Sequence, residues 1–101
     1  MKIDIKTKHL ELTEEIADYV DKKIGHLSHF DDKIMETRVK LTSGKEHTSD
    51  TKFRAEVTMH LPKIIIRAEA KAQEIYAAID IVSEKLERQI EKYKDKMIDK
   101  R

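Results

Sequence analysis

Cysteine is absent from the 101-residue chain. No disulfide can staple the fold, no thiolate can hold zinc, and no cysteine can serve as a nucleophile. Glycine occurs twice and proline once, and no linker, internal repeat or low-complexity tract breaks the chain. Long apolar runs are also missing. The longest, Ile64–Ile66, is a strand fragment far short of a membrane span. The opening Met-Lys-Ile-Asp-Ile carries no signal-peptide core. Together these absences predict a cytosolic chain with no membrane partner. An excess of one charge is lacking as well: 21 Lys and Arg stand against 20 Asp and Glu, for a net charge of +1. Total charge therefore gives no support to a polyanionic partner. Such a partner requires the charges to be sorted in space.

What is present is a charge-rich globular pattern, 39% apolar and 41% charged. The length suits one domain, residues 1–101, with one hydrophobic core. In Lys2–Thr7, Ile3 and Ile5 alternate with Lys2, Asp4 and Lys6, as in a half-buried strand. Thr13 is a good helix N-cap, followed by Glu14 and Glu15 where the helix dipole favours acids. Ile16, Val20, Ile24 and Leu27 then recur at helical spacing, and Gly25 predicts the end of this helix nearby. After a turn at Asp31–Asp32, Met35, Thr37, Val39 and Leu41 share one face of a second strand. Ser43–Asp50 reads as a polar loop. Phe53, Ala55, Val57, Met59 and Leu61 mark a third strand. Pro62–Lys63 turns into a fourth, with Ile64, Ile66, Ala68 and Ala70 on one side. From Gln73 the period becomes helical, and Ile75, Ile79, Val82, Leu86, Ile90, Tyr93 and Met97 form a single stripe. The predicted order is β-α-β-β-β-α. Strands with one apolar face point to a largely antiparallel, four-stranded sheet. Both helices should cover one face of it, giving an α+β two-layer sandwich.

The last helix sorts its charges. At about 100° per residue, Lys85, Arg88, Lys92 and Lys96 fall on one flank of the apolar stripe. Asp80, Glu84, Glu87, Glu91 and Asp95 fall on the other, while Lys94 and Asp99 break the pattern. The first helix repeats the sorting more weakly. Tyr19, Lys22 and His26 lie on one flank, with Lys23 nearer the core and Glu15 intruding, and Asp18 and Asp21 lie opposite. With the helices side by side, the two basic flanks could line one groove. A solvated face laced by i,i+4 pairs such as Glu84–Arg88 is the alternative reading of the same pattern. A lysine–arginine row on a rigid helix also suits a phosphate backbone, which it would bind with little sequence preference and strong salt dependence.

Sites for catalysis are not apparent. His26 and His29 are spaced i,i+3 without a placed third ligand, so they read as surface histidines rather than a metal site. Asp31–Asp32 reads as a turn rather than an acid/base pair. Tyr76, Tyr93 and Phe53 read as core packing rather than base-stacking groups. No phosphate loop or nucleophile motif occurs. The expectation is a chain with no enzymatic activity, no cofactor, no metal and no small-molecule substrate.

Several segments carry a family resemblance. Ile75-Tyr-Ala-Ala-Ile-Asp80, Lys85-Leu-Glu-Arg-Gln-Ile90 and Lys92-Tyr-Lys94 resemble the ribosome hibernation-promoting factor family, also called the ribosome-associated inhibitor A or sigma-54 modulation protein family. His9-Leu-Glu-Leu-Thr13, Tyr19-Val-Asp-Lys-Lys-Ile24 and Ile66-Arg-Ala-Glu69 are similar to its first helix and strand pattern. The resemblance covers nearly the whole chain. It implies the same β-α-β-β-β-α fold, similar to double-stranded RNA-binding domains. It also implies binding to the small ribosomal subunit at the decoding region, where mRNA and tRNA are excluded and translation is silenced in starved cells. By the same resemblance, Lys23, Lys85, Arg88 and Lys92 match positions that contact ribosomal RNA. Lys22 and Lys96 join them by flank. The chain departs from the family at Lys8, where a glycine is common, and at His26, where a lysine is common. His26 supplies a positive charge only when protonated. The family has short members and long ones with an added C-terminal domain, and the chain fits either a short member or the N-terminal part of a long one. The rival readings are a protein-interaction module using Arg38, Lys40, Arg54 and Arg67 on the exposed sheet face, and a generic RNA binder.

Overall fold

The computed structural model of the chain describes residues 1–31, 33–44 and 52–99, with side chains through residue 96. Strand β1 spans Lys2–Lys8 and helix α1 Glu14–Gly25, followed by a 3-10 turn at His26–His29. Strands β2 (Glu36–Ser43), β3 (Phe53–Leu61) and β4 (Ile64–Ala72) come next, and helix α2 (Ile75–Asp99) follows. The order is the β-α-β-β-β-α expected from periodicity. Most of the predicted 43–50 loop, together with Asp32, His47 and the side chains of Met97 and Asp99, lies outside the described residues.

The sheet runs β1-β2-β3-β4. β2, β3 and β4 pair antiparallel, while β1 pairs parallel to β2. The one parallel ladder follows from α1. A helical crossover returns the chain to the end of the sheet where β1 began, so β2 must run with it. Inward positions are then Val39 and Leu41 of β2, Ala55, Val57, Met59 and Leu61 of β3, and Ile66, Ala70 and Ala72 of β4. Ile16, Val20 and Ile24 of α1, Leu27 of the 3-10 turn, and Ile75, Ala78, Ile79, Val82, Leu86 and Ile90 of α2 close over them.

Local chemistry sets the element ends. Thr13 Oγ1 accepts the Ile16 N–H at 3.2 Å, the N-cap bond expected of that residue. α1 does stop at Gly25, but not because glycine adopts a left-handed conformation there. Gly25 has φ −60°, and the chain tightens directly into the 3-10 turn, where Ser28 Oγ donates to the Gly25 carbonyl at 2.9 Å. The left-handed conformation appears instead at His9, with φ 57° after β1, and at Lys63, with φ 75° after Pro62. Proline at the first and positive φ at the second central position is the type II turn, which usually places glycine second. Lysine there costs about 1–2 kcal/mol.

One strand boundary differs from expectation. The alternation puts Met35 on the apolar face of β2, but the residue precedes the strand and is 56% exposed. Its backbone is what the fold uses: the Met35 N–H donates to the His60 carbonyl at 2.9 Å, and its carbonyl accepts from Lys2 N–H at 3.1 Å. Ile34 is the residue that enters the core at this point.

Candidate nucleic-acid interface

The basic flank of α2 stands clear of the core. Lys85, Arg88, Lys92 and Lys96 are all exposed. At 1.5 Å per residue the row is about 16 Å long. It overhangs the edge strand β4. Lys85 Nζ donates to the Glu69 carbonyl at 2.8 Å, and Gln89 Nε2 donates to the Arg67 carbonyl at 2.7 Å. These contacts cap outward-facing backbone carbonyls of the edge strand, which would otherwise offer themselves to another chain. Between α2 and the sheet runs an open groove of about 670 Å³, with Arg67, Glu69, Lys85, Arg88 and Gln89 among its walls. Lys92 and Lys96 continue the row beside Ile64 and Ile65. Arg67, a sequence candidate only for the sheet face, joins this groove, and Gln89 was not among the sequence candidates. The signal available was the i,i+4 spacing of Lys85 and Gln89 on the flank next to the apolar stripe.

The other flank of α2 meets α1. The two helices run parallel: Tyr19 lies beside Tyr76, the Lys23 carbonyl accepts from Ser83 Oγ, and the Phe30 carbonyl accepts from Lys94 Nζ. The groove between them, about 360 Å³, is lined by Lys22, Lys23 and His26 on one side and Asp80, Glu84 and Glu87 on the other. The single groove shared by two basic flanks, raised as a possibility from the sequence, does not form. α2 turns its acidic flank to the basic flank of α1, which pairs opposite charges. Its own basic flank is left facing away from α1.

Lys22 and His26 are exposed, and Lys23 is half-buried. Lys23 Nζ lies 3.7 Å from Asp80 Oδ1 and 5.7 Å from the centre of the Tyr19 ring. Tyr19 donates its hydroxyl to the same Asp80 oxygen at 2.5 Å and meets Tyr76 edge-on at 5.0 Å. Lys23 is therefore already engaged by a carboxylate and an aromatic face. Tyr19, read from sequence as part of a flank, is a bridge between the helices. Tyr76 is 36% exposed, at the border of that cluster. Tyr93 packs against the core and points its hydroxyl at the Pro62 carbonyl, 3.5 Å away. The His26 ring lies against His29 at 5.1 Å and Phe30 at 5.6 Å. Among the described residues no group of three or more His, Asp or Glu is placed to hold a metal ion.

The Tyr19–Asp80 bond has a pH signature. Donation to the Asp80 carboxylate, then burial and the negative charge beside it, raise the phenol above its ordinary value. A raised folded-state value contributes stability that is complete below pH about 10 and is lost as pH climbs through the folded value. Urea unfolding between pH 8 and 11 should show an alkaline loss of stability that Tyr19→Phe lacks. Equal losses in the two proteins would remove this bridge from the account.

The arrangement offers exposed cations on a rigid helix and no convergent catalytic group among the described residues. Comparison with known proteins agrees with the fold. The chain is 37% identical over 94 residues to a ribosome hibernation promotion factor of Deinococcus radiodurans, covering 93% of this chain and 49% of the relative. It is 34% identical over 100 residues to a ribosome hibernation promoting factor of Azotobacter vinelandii, covering 99% of this chain and 89% of the relative. The chain thus spans about half of the first relative and most of the second. The solved N-terminal domain of Thermus thermophilus Protein Y superposes with a TM-score of 0.79 at 32% identity, covering 92% of this chain and 99% of that domain. With residues 3–98 matching the family model described as sigma 54 modulation protein / S30EA ribosomal protein, the chain belongs to that family.

Proposed function

We propose that the chain is a non-catalytic ribosome hibernation factor acting in the cytoplasm. In this reading residues 1–101 form one ribosome-binding unit. It seats in the decoding region of the small subunit and keeps mRNA and tRNA out by occupying their space. The observation that carries the reading is the exposed row Lys85, Arg88, Lys92 and Lys96 on a helix held rigid by its buried stripe, in a chain whose relatives are named for ribosome hibernation. A fixed cation row meets a phosphate backbone without reorganising, and its affinity comes largely from released counterions. Silencing by occupancy needs no reactive group, only a surface that binds and a body that fills the site.

The two helices contribute unequally. The α2 row faces away from the acids of its own helix. Lys22, Lys23 and His26 share their groove with Asp80, Glu84 and Glu87, which compete with phosphate for them. In this reading α2 supplies most of the RNA affinity and α1 a smaller share. Cosedimentation with purified small subunits at rising salt tests it. Bound protein should fall steeply between 50 and 200 mM salt, and pre-bound mRNA with tRNA should displace it. Salt-sensitive binding without that displacement would reassign the chain as a generic RNA binder. No binding at low salt would reject the ribosomal reading altogether.

A further inference from the structure

The excess of positive charge does not sit on the helices. The outward positions of the four strands carry eight lysines and arginines against four carboxylates, in a chain with 21 and 20 in all. Strand register brings them into rows across the sheet. One row reads Lys6, Lys40, Glu56, Glu69, and the next reads Lys8, Thr42, Arg54, Lys71. Three of the four carboxylates are already taken. Arg38 holds Glu36 at 3.1 Å, and Arg54 holds both Glu56, at 2.6 Å, and Glu69. Among the described residues no ion pair engages Lys6, Lys8, Lys40 or Lys71.

Lys6 and Lys40 also stand directly opposite each other in the parallel ladder. Like charges at facing positions destabilise a sheet. The face around them, from β1 across β2 to β3, is an open trough of about 470 Å³, with Asp4, Lys6, Lys8, Arg38, Lys40 and Glu56 among its walls. Glu56, across from Lys40, is held by Arg54, so among the described residues the Lys6–Lys40 opposition has no ion pair to relieve it, the kind of local conflict expected at a binding surface.

The chemistry of the face selects the partner. Protein interfaces are anchored by buried aromatic and apolar side chains. The outward strand positions hold no Phe, Tyr or Trp; His60 is their one ring and Ile65 their one large apolar side chain. A single imidazole does not make the row of stacking rings that reads single strands. A flat field of lysines with neither feature fits a phosphate backbone, bound without sequence preference. We infer that the exposed sheet face around Lys6, Lys8, Lys40 and Lys71 is a second RNA-backbone contact, distinct from the α2 row. The domain is then held by RNA from two sides, one surface on the helical layer and one across the sheet. Arg67 and Glu69, at the groove beneath α2, mark where the two surfaces approach each other. This deepens the ribosomal reading and rests on it for the identity of the RNA.

The test uses the full chain, with Lys6, Lys40 and Lys71 changed together to glutamine. All three side chains are exposed, and the change relieves the Lys6–Lys40 repulsion, so thermal melting should be unchanged or slightly improved. Affinity is measured against two probes, purified small subunits and a mixed-sequence RNA duplex, over a salt series. The inference predicts roughly tenfold or greater weakening on both probes, with the slope of log affinity against log salt reduced by about 2–3. Lys→Arg at the same three positions should keep both. Wild-type affinity and slope on both probes would overturn the inference while leaving the ribosomal proposal standing. Loss on subunits alone would assign the face to an acidic ribosomal protein and overturn the RNA assignment. A wild-type chain that binds the duplex but not subunits, with the variant weakened, would support the surface and reject the ribosomal proposal.

Discussion

Reversing Lys85, Arg88 and Lys92 to glutamate should abolish ribosome binding while leaving the domain folded. All three are exposed and contribute nothing to the buried stripe. The structural cost is confined to local terms. Glu84–Arg88 ceases to be an attractive i,i+4 pair, and carboxylates at 88 and 92 add repulsion, each worth about 0.2–0.5 kcal/mol. Lys85 also surrenders its 2.8 Å bond to the Glu69 carbonyl, a net loss of about 1 kcal/mol for an exposed hydrogen bond. The sum stays well below the 5–15 kcal/mol stability typical of a domain of this size. Binding suffers far more. If the α2 row meets RNA phosphates as proposed, three such contacts are lost and three repulsive charges replace them, so affinity at moderate salt should drop by about a thousandfold, with the salt slope reduced by about 2–3. Circular dichroism establishes folding, and sedimentation with small subunits reads binding. A folded triple variant that still sediments with subunits would remove the α2 flank from the interface. The milder Lys85→Gln separates the two roles of that residue. It keeps a donor for the Glu69 carbonyl while losing the charge, so its melting should match wild type and its binding should weaken modestly.

Truncating Leu86 to alanine should have the largest effect on stability. Leu86 is fully buried at the middle of α2, between Val82 and Ile90 on the stripe that faces the sheet. Removing it loses transfer energy and leaves a cavity, at a cost of about 2–5 kcal/mol. For about 100 residues each kcal/mol moves the melting temperature by about 4–8 °C, so a fall of at least about 8 °C is expected. Ile81→Ala is the control. Ile81 is 39% exposed on the same helix, and surface changes of this kind stay near 0.5 kcal/mol. Thermal or urea unfolding compares the pair, and similar losses from both would contradict the face assigned to α2. The comparison bears on function too, because the same buried stripe that fixes α2 to the sheet fixes the direction in which Lys85, Arg88 and Lys92 point.

Much of the fold could be read from single positions. Ile75, Ile79, Val82, Leu86 and Ile90 recur at the helical period, and Ala55, Val57, Met59 and Leu61 recur at the strand period, because each is buried. Thr13 marked the start of α1 through its own side chain. Met35 misled for a plain reason. It continues the alternation of Thr37, Val39 and Leu41, but the chain enters the sheet one residue later, and its backbone rather than its side chain is used. The two flanks of α2 were legible from the 100° rotation alone. Which flank would face α1 was not, since that depends on the direction in which the helices pack. The sheet face was seen strand by strand, through Arg38, Lys40, Arg54 and Arg67. Its Lys6–Lys40 opposition exists only once β1 is paired parallel to β2 in a specific register.

Element order, buried faces, the exclusion of thiol chemistry and the family resemblance are written in the chain itself. Burying a large apolar side chain is worth about 1.5–3 kcal/mol, and selection on that scale leaves a period any reader can count. The partners of the charged groups belong to the third dimension. An exposed ion pair contributes about 0–1 kcal/mol, too little to stamp a spacing on the sequence. Asp80 between Tyr19 and Lys23, Glu56 and Glu69 on Arg54, and the sheet lysines without an ion pair among the described residues were therefore set by helix direction and strand register alone.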